Sequence, residues 1–500
     1  MNVSRIIAGR ERWKARAVSR GMRLRRANRR IGTVEHKLRT VSTRLAEVEA
    51  EIVALREARD AAARAPAPVS PPPSRNDVRV VVVLVFAIGL IPCNALARCF
   101  EVLCRAGWLA VTSIPHPSSV VNWVARAGLG RLMSVGRVAF PWIAVIDSSI
   151  SYGKAKMLVV LRVPLAHFAL GKGAVGLADV ECVGLSVRES WTGEDVKEQL
   201  SRIFDVAGLP AAIVKDQGAD LKRGVALLRK ERKGIVVIRD VGHVFALLLK
   251  REYEKNPVFV RFLKLIDSAR ARLCHSDVAA LRPPKIRAKG RFQGISRVVD
   301  WATRMAELLA GSGRTSKGSL RERLSHAMPR LCAMRFFFTR FSRDCTALNA
   351  VMELLKTKGL NQETYKAAVA LLAPLPARSR MKCAALAWLD ETLRVHCRLG
   401  IGQTPLVVSS DVIESLYGIV KMILERSPAP EFGTLSLATP LFCGNLTEHV
   451  VREALERCPH HRLTEWKSAH LAHTKRRVQS RLLAEVRRKP GPDREPAASA

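Results

Sequence analysis

The chain has 500 residues, and its 83 Lys and Arg against 44 Asp and Glu give a formal net charge of +39. Apolar residues make up 48% of it, which excludes a disordered, protamine-like basic chain and predicts globular cores. The length suggests about three or four domains. The charge indicates a polyanionic partner such as DNA, RNA or an anionic membrane.

Cysteine usage and hydropathy favour an intracellular protein without a membrane partner. The eleven cysteines are odd in number and scattered through apolar runs, unlike a secreted disulfide framework. The apolar segment 80–91 is shorter than the ~20 residues that span a bilayer and is predicted to be a buried helix. The glycine-rich segments 171–173 and 311–318 match neither the P-loop nor the dinucleotide motif, so no nucleotide cofactor is expected.

The N-terminal region is predicted to serve assembly and phosphate contact. Residues 1–32 form a basic arm in which Arg25 and Arg26 belong to a cluster of five arginines, a pattern typical of phosphate binding. In 33–64, apolar residues alternate at steps of four and three, which predicts a coiled coil and a homodimer or higher homo-oligomer. A single amphipathic helix folding back on the chain is the alternative. Residues 65–77 read as a stiff Pro-rich linker.

Residues 78–138 are predicted to be a compact helical unit that resembles a helix-turn-helix domain. Ser119, Asn122 and Arg126 are spaced to share one face of its third helix, so they are candidate DNA-reading residues. The connection before that helix is longer than the turn of the strict motif. Any small helical bundle remains the alternative.

From residue 139 to 256 the pattern changes to short β-branched runs separated by turn residues. Strands are predicted at 142–147, 155–162, 181–187, 211–216 and 234–240, with helices before the last two. A meander followed by alternating helices and strands predicts a mixed five-stranded sheet with helices on its faces. The first strand ends in Asp147 and the fourth in Asp216, so the two carboxylates are expected side by side.

This arrangement resembles the ribonuclease H-like core of DDE transposases, whose last helix carries a Glu. The segment 409–420 supplies such a helix with Glu414, one turn after Asp411 in its first turn. Residues 257–402 have helical periodicity and would be an all-α insertion that splits the core, as in bacterial insertion-sequence transposases. The core then resumes at 403–430, and 431–500 is predicted to be a basic C-terminal tail.

The resemblance implies a two-metal site for Mg²⁺ or Mn²⁺, held by Asp147, Asp216 and Glu414. Oxygen ligands suit these hard cations. Asp147 would bridge both ions, and the other two acids would each hold one. Asp220 competes with Asp216 for this role, and Asp411 competes with Glu414.

Three further residues are singled out near these acids. Lys421 follows Glu414 by two helical turns on the same face, where its ammonium group could hold a DNA phosphate. Asp240 and His243, after the fifth strand, would assist phosphate binding or proton transfer, or would be a helix cap and a satisfied histidine. A Phe-rich basic stretch, 330–343, would contact unpaired bases or belong to the core.

The predicted function is therefore metal-dependent cleavage and strand transfer of insertion-sequence ends. Double-stranded DNA, both element ends and target, is the expected partner, and a cytoplasmic, nucleoid-associated location in a bacterium is implied. The alternatives are a ribonuclease H-fold nuclease or resolvase that cuts without joining, and an inactive, transposase-derived DNA-binding protein.

Overall fold

A computed structural model describes residues 75–107, 114–152, 155–216, 218–286, 295–310, 318–426, 430–472 and 474–487, with a few isolated positions elsewhere. The chain divides into two compact units, 1–72 and 73–500, and nearly all described residues belong to the second. The basic arm with Arg25 and Arg26 and the coiled coil predicted at 33–64 lie outside the described residues, apart from isolated positions.

Three helices lie in the segment predicted to be a helical unit: α1 (Arg75–Gly89), α2 (Cys93–Arg105) and α3 (Pro117–Met133). In α1, Val80, Val83 and Phe86 are buried, as predicted for a core helix. Among the described residues, no helix combines the length and apolar character needed to cross a membrane. The apolar segment therefore contributes to a protein core.

The five predicted strands form a mixed sheet of order β3-β2-β1-β4-β5. The sheet pairs β1 with β2 and β2 with β3 antiparallel, and β1 with β4 and β4 with β5 parallel. The bounds are β1 (Trp142–Tyr152), β2 (Ala155–Pro164), β3 (Glu181–Arg188), β4 (Ala212–Lys215) and β5 (Val236–Arg239).

One strand boundary differs from the prediction. The first strand does not end at Asp147 but continues to Tyr152, pairing with β2 after an irregularity that follows Asp147. Its parallel pairing with β4 does stop at Ile146 opposite Lys215. The end of the parallel ladder, rather than the end of the strand, therefore marks the position of Asp147.

Helices cover both faces of the sheet. Those on one face are α4 (Gly193–Ala207), which Thr192 starts with a capping box, and α5 (Ala219–Glu231). Leu200, Phe204 and Val225 pack there against alternate residues of the strands. The opposite face is covered by α6 (Val241–Tyr253) and by α13 (Asp411–Leu424), the helix predicted to carry Glu414.

The described residues between 257 and 402 are helical apart from loops and Leu360, which forms an isolated bridge with Leu406, as the periodicity predicted. Within the Phe-rich stretch, Phe338 and Phe341 are buried among aromatic rings, Phe337 is half-buried and Phe336 is exposed, so three of the four phenylalanines pack in the core. The helices are α7 (Pro257–Leu273), α8 (Ile295–Ala310), α9 (Leu320–Ala327), α10 (Arg335–Lys358), α11 (Gln362–Leu371) and α12 (Arg380–Arg398).

The predicted tail is folded over much of its length, which corrects the boundary at 431. A 3-10 helix (Thr434–Phe442) is followed by α14 (Glu448–Arg457), α15 (His460–His470) and α16 (Lys475–Arg487). The first two pack against α3 so closely that a Cβ on Gly128 would lie 1.6 Å from the Leu437 carbonyl oxygen. A Cβ on Gly130 would lie 1.9 Å from that of Ala454. These glycines allow backbone to approach backbone, and α3 is consequently a central helix rather than part of a separate domain.

Candidate active site

Asp147 and Asp216 lie next to each other where the parallel part of the sheet ends. Since Ile146 pairs with Lys215, the two acids are the next residues on strands about 4.8 Å apart. Alternation places both on the face that carries Val145 and its neighbours, under α13. Asp147 is buried. The backbone thus fixes the first two predicted acids as a pair.

Backbone N–H groups orient both carboxylates. The N–H of Ser148 donates to Asp147 Oδ1 at 2.6 Å, and the N–H of Gly218 donates to Asp216 Oδ1 at 2.9 Å. The bond to Asp216 comes from two residues further along the chain, as is common where Asp precedes a turn, and the bond to Asp147 comes from the next residue at the irregularity of β1. The local backbone therefore contributes to fixing the position of both side chains.

The helix that carries Glu414 is joined directly to the first of these strands. Tyr417, one turn after Glu414, donates its hydroxyl to the backbone oxygen of Asp147 at 2.8 Å. Burial raises the pKa of Tyr417 well above its usual value, and the charges of Asp147 and Asp216 add to the rise. Tyr417 therefore remains a neutral donor. The sequence analysis missed it, because its only signal was a place on the apolar face of α13.

Asp240 joins the start of that helix to the end of β5. Its Oδ1 accepts from the backbone N–H of His243 at 2.6 Å and lies 2.9 Å from Nδ1 of the same residue. Its Oδ2 accepts from the N–H and hydroxyl of Ser410 at 2.7 and 2.9 Å. Asp240 is thus the helix cap that one of the two interpretations predicted, and it also links segments 170 residues apart.

The charges in this linkage stabilise one another. Burial alone would raise the pKa of Asp240, but the hydrogen bonds from His243 and Ser410 outweigh it and the pKa is lowered. Burial would lower the pKa of His243, yet Asp240 raises it to about 9, and the charges of Asp216 and Glu414 act in the same direction. His243 is therefore a cation at neutral pH that faces the acids of the site.

Glu414 and its competitor Asp411 have different surroundings. Asp411 forms an ion pair with Lys356 at the end of α10. Partial burial raises the pKa of Glu414, and Asp411 adds to this rise, whereas His243 and Lys356 oppose it. The Glu414 side chain still reaches the surface. Of the two acids, Asp411 is thus the one that is paired with a lysine, and Glu414 is the one whose pKa is raised.

Asp220, which competes with Asp216 for the role of second metal ligand, lies close to it. A Cβ on Gly218 would lie 3.0 Å from an Asp220 oxygen and 3.1 Å from an Asp216 oxygen. The hydroxyl of Ser148 donates to Asp220 at 3.2 Å. Lys215 is buried beside them and donates to the Asp216 backbone oxygen at 3.1 Å, and burial lowers its pKa. The geometry leaves both acids as candidates.

The donor set at this end of the sheet consists of carboxylates, which suits Mg²⁺ or Mn²⁺. Within the described ranges, no three His, Cys, Asp or Glu side chains are grouped so that they could hold a metal ion. The parallel strands bring Asp147 and Asp216 together, and Glu414 lies one helical turn before Tyr417, which contacts the first of them.

The predicted DNA-reading face of α3 is covered by the C-terminal helices. Arg126 donates from Nε to the Cys458 oxygen at 2.6 Å and from a terminal nitrogen to the Leu455 oxygen at 2.8 Å, and so caps the end of α14. Asn122 accepts from Lys467 of α15 at 3.1 Å. Ser119 is half-buried. Two of these three residues thus bind the protein's own C-terminal region.

Lys421 lies where the sequence predicted, in the last turn of α13, and is exposed. It is seven residues from Glu414, which corresponds to about 10 Å along the helix axis. Its ammonium group is therefore open to solvent at the other end of the helix that carries the predicted acid.

No protein-family model matches the sequence, and no curated protein matches it. Among solved structures, the chain is similar to the Drosophila P element transposase in a strand transfer complex, at 12% sequence identity and a TM-score of 0.38. The similarity covers 79% of this chain and 94% of the other chain. A similarity of this degree defines neither the fold nor the activity.

Proposed function

We propose that the protein is a DNA transposase of a bacterial insertion sequence, a metal-dependent phosphoryl transferase built on a ribonuclease H-like core. The observation that carries the proposal is the pair Asp147 and Asp216 on adjacent parallel strands, with the helix of Glu414 joined to the same strand. The net charge of +39 adds support for a DNA partner.

In this proposal Asp147, Asp216 and Glu414 would hold two Mg²⁺ or Mn²⁺ ions, which requires the three carboxylates to lie closer together than they do in this structure. When bound, such ions supply the positive charge that activates a nucleophile and stabilises the leaving oxygen. The chain's own contribution is to orient the ligands. The N–H of Ser148 fixes Asp147, and Tyr417 fixes α13 against the strand. Lys421 offers an exposed cation for a DNA phosphate.

The reaction proceeds in two phosphoryl transfers. Water attacks a phosphodiester at the end of the element, and the bond to the 3′ oxygen breaks to leave a 3′-hydroxyl. That hydroxyl then attacks a phosphodiester of the target DNA, forms a new bond to phosphorus and displaces the target's own 3′ oxygen. Each step exchanges one P–O bond for another, so no nucleotide cofactor is required.

The test is incubation of labelled duplexes carrying the ends of the source element with Mg²⁺ or Mn²⁺. Wild type should produce nicks at defined ends and joined products. Asp147→Asn and Glu414→Gln should each lose at least about 1,000-fold in rate and keep duplex binding, because a ligand amide cannot replace a carboxylate charge. Asp411→Asn, which changes a neighbouring acid already paired with Lys356, is the matched control and should retain cleavage.

Other outcomes separate the alternatives. Cutting without joining would favour a nuclease or resolvase, and tight binding without cutting would favour an inactive DNA-binding protein. Cleavage that survives Asp147→Asn would remove the catalytic assignment. Loss of cleavage in Asp411→Asn but not in Glu414→Gln would transfer the third role to Asp411.

A further inference from the structure

A cavity of about 480 Å³ in the helical region is lined mostly by charged side chains. It lies between the end of α6, the first half of α10 and the start of α12. Its arginines on α10 precede Lys356 by at least 13 residues, or about 20 Å along the helix, so it is separate from the site of the acids. The charged residues are Arg340, Arg343, Arg378, Arg380, Glu252 and Asp344.

Two of the four arginines are neutralised within the cavity wall. Arg340 forms an ion pair with Glu252. Arg343 donates to Asp344 at 2.9 Å, and the hydroxyl of Tyr253 donates to the other oxygen of this buried acid at 2.5 Å. Both carboxylates therefore already have partners, and neither is left to repel an anion that enters the cavity.

The other two arginines provide the net charge. Arg378 and Arg380 are exposed, and neither makes an ion pair with any residue in the described part of the chain. They flank Ser379, which caps the 19-residue helix α12 by accepting the N–H of Lys382. The positive end of the helix dipole adds to the two guanidinium groups. The cavity thus presents about two unmatched positive charges in one place.

The lining also indicates which anion fits. Besides its six charged residues, the described part of the chain contributes a proline and a serine to the cavity wall, and no aromatic ring on which a base could stack. Guanidinium groups match the oxygens of a phosphate group in a bidentate manner. Recognition here would depend on charge and phosphate geometry, without reading a base.

We infer that this cavity binds a phosphate group of the DNA backbone, at a second contact point away from the acids of the sheet. The inference rests on the proposed function only in taking DNA as the partner. It assigns Arg378 and Arg380 to phosphate binding, and Glu252 and Asp344 to holding the other two arginines in place.

The test compares two double variants that remove the same charge. Arg378→Gln/Arg380→Gln alters the cavity, and Arg394→Gln/Arg398→Gln alters two exposed arginines further along the same helix. Binding of a fluorescent duplex by the full chain is measured in EDTA, so that no cleavage contributes, between 50 and 300 mM salt. Circular dichroism checks that each variant is folded.

The cavity variant should bind the duplex about tenfold more weakly at 100 mM salt, and the slope of log Kd against log salt should fall by about 0.9, the contribution of the one phosphate contact that is lost. The control variant should remain near wild type. Equal losses in both variants, or no loss in the cavity variant, would overturn the inference.

Calorimetry with inorganic pyrophosphate distinguishes the sources of the phosphate. Pyrophosphate binding that the cavity variant abolishes, with duplex binding unchanged, would show that a small phosphate compound is the ligand and would overturn the assignment to DNA. Failure of the cleavage test, with the cavity variant still impaired in duplex binding, would refute the proposed catalysis and leave this inference standing.

Discussion

Residue spacing predicted functional residues both at the end of the sheet and on the polar face of α3. In the structure, the neighbours of these two sets of residues differ. At the sheet end, Asp147 and Asp216 are adjacent because parallel strands place them in register. On α3, the spacing is also present, but Arg126 and Asn122 bind residues of α14 and α15. The same kind of pattern thus brings two acids together in one region and forms a packing surface in the other.

The difference lies in what determines each position. The acids on the strands depend on a ladder formed by nearby segments, whereas the polar residues of α3 face a region more than 300 residues later in the chain. Spacing within a helix defines a face but not what covers that face. Glu414 combines both kinds of dependence. Its place on the helix is local, but Tyr417 and the Asp240–Ser410 linkage attach that helix to distant strands.

The largest expected effect on stability comes from breaking the linkage at the sheet end. Asp240→Ala removes the acceptor that the half-buried His243 cation shares with the buried Ser410 N–H, so the free energy of unfolding should fall by about 3–5 kcal/mol. Denaturant unfolding measures it. Asp195→Ala, which removes a more exposed capping-box acid, should cost only about 1 kcal/mol. Equal costs would show that Asp240 is an ordinary cap.

The next effect is a dependence of stability on pH. The folded pKa of His243, about 9, is raised from its ordinary 6.5, so its contribution is fully present below pH 6.5 and is lost as pH rises through 9. The loss should approach roughly 3 kcal/mol. Metal-free unfolding curves at several pH values measure it, and the difference between wild type and His243→Gln isolates this group. An identical pH profile in His243→Gln would contradict the assignment.

A smaller effect tests the covered face of α3. Arg126→Met keeps much of the side-chain volume but loses two charge-assisted hydrogen bonds to carbonyls at the end of α14, so stability should fall by about 2 kcal/mol. Duplex affinity at fixed salt should stay within about threefold of wild type, as expected for a residue that caps a helix. Unchanged stability with strongly reduced duplex binding would restore the DNA-reading interpretation.

Features that depend on residues close together in the chain were predictable from the sequence, and features that depend on contacts between distant residues were not. Alternation and turn residues identified all five strands, and the prediction that Asp147 and Asp216 lie side by side agrees with the pairing of Ile146 and Lys215. Tyr417 could not be identified, since its partner is the backbone of Asp147, 270 residues away. Nor did any pattern indicate that Gly128 lets the 3-10 helix approach α3, because a single glycine in a helix carries no information about its neighbour.

The smallest effect concerns α13 itself. Gly418 lies inside this helix, and a Cβ there would meet no atom within 4 Å, so Gly418→Ala should stabilise the protein by about 0.5–1 kcal/mol through reduced freedom of the unfolded chain. Thermal unfolding measures the shift, and Gly136→Ala, at an open position outside any helix, is the control. If the contacts of Tyr417 and Ser410 already fix Glu414, the cleavage rate should not change. A stabilised variant that cleaves more slowly would instead show that α13 must bend for Glu414 to join the two strand acids, and the helix-borne acid would then differ from them in mobility as well as in position.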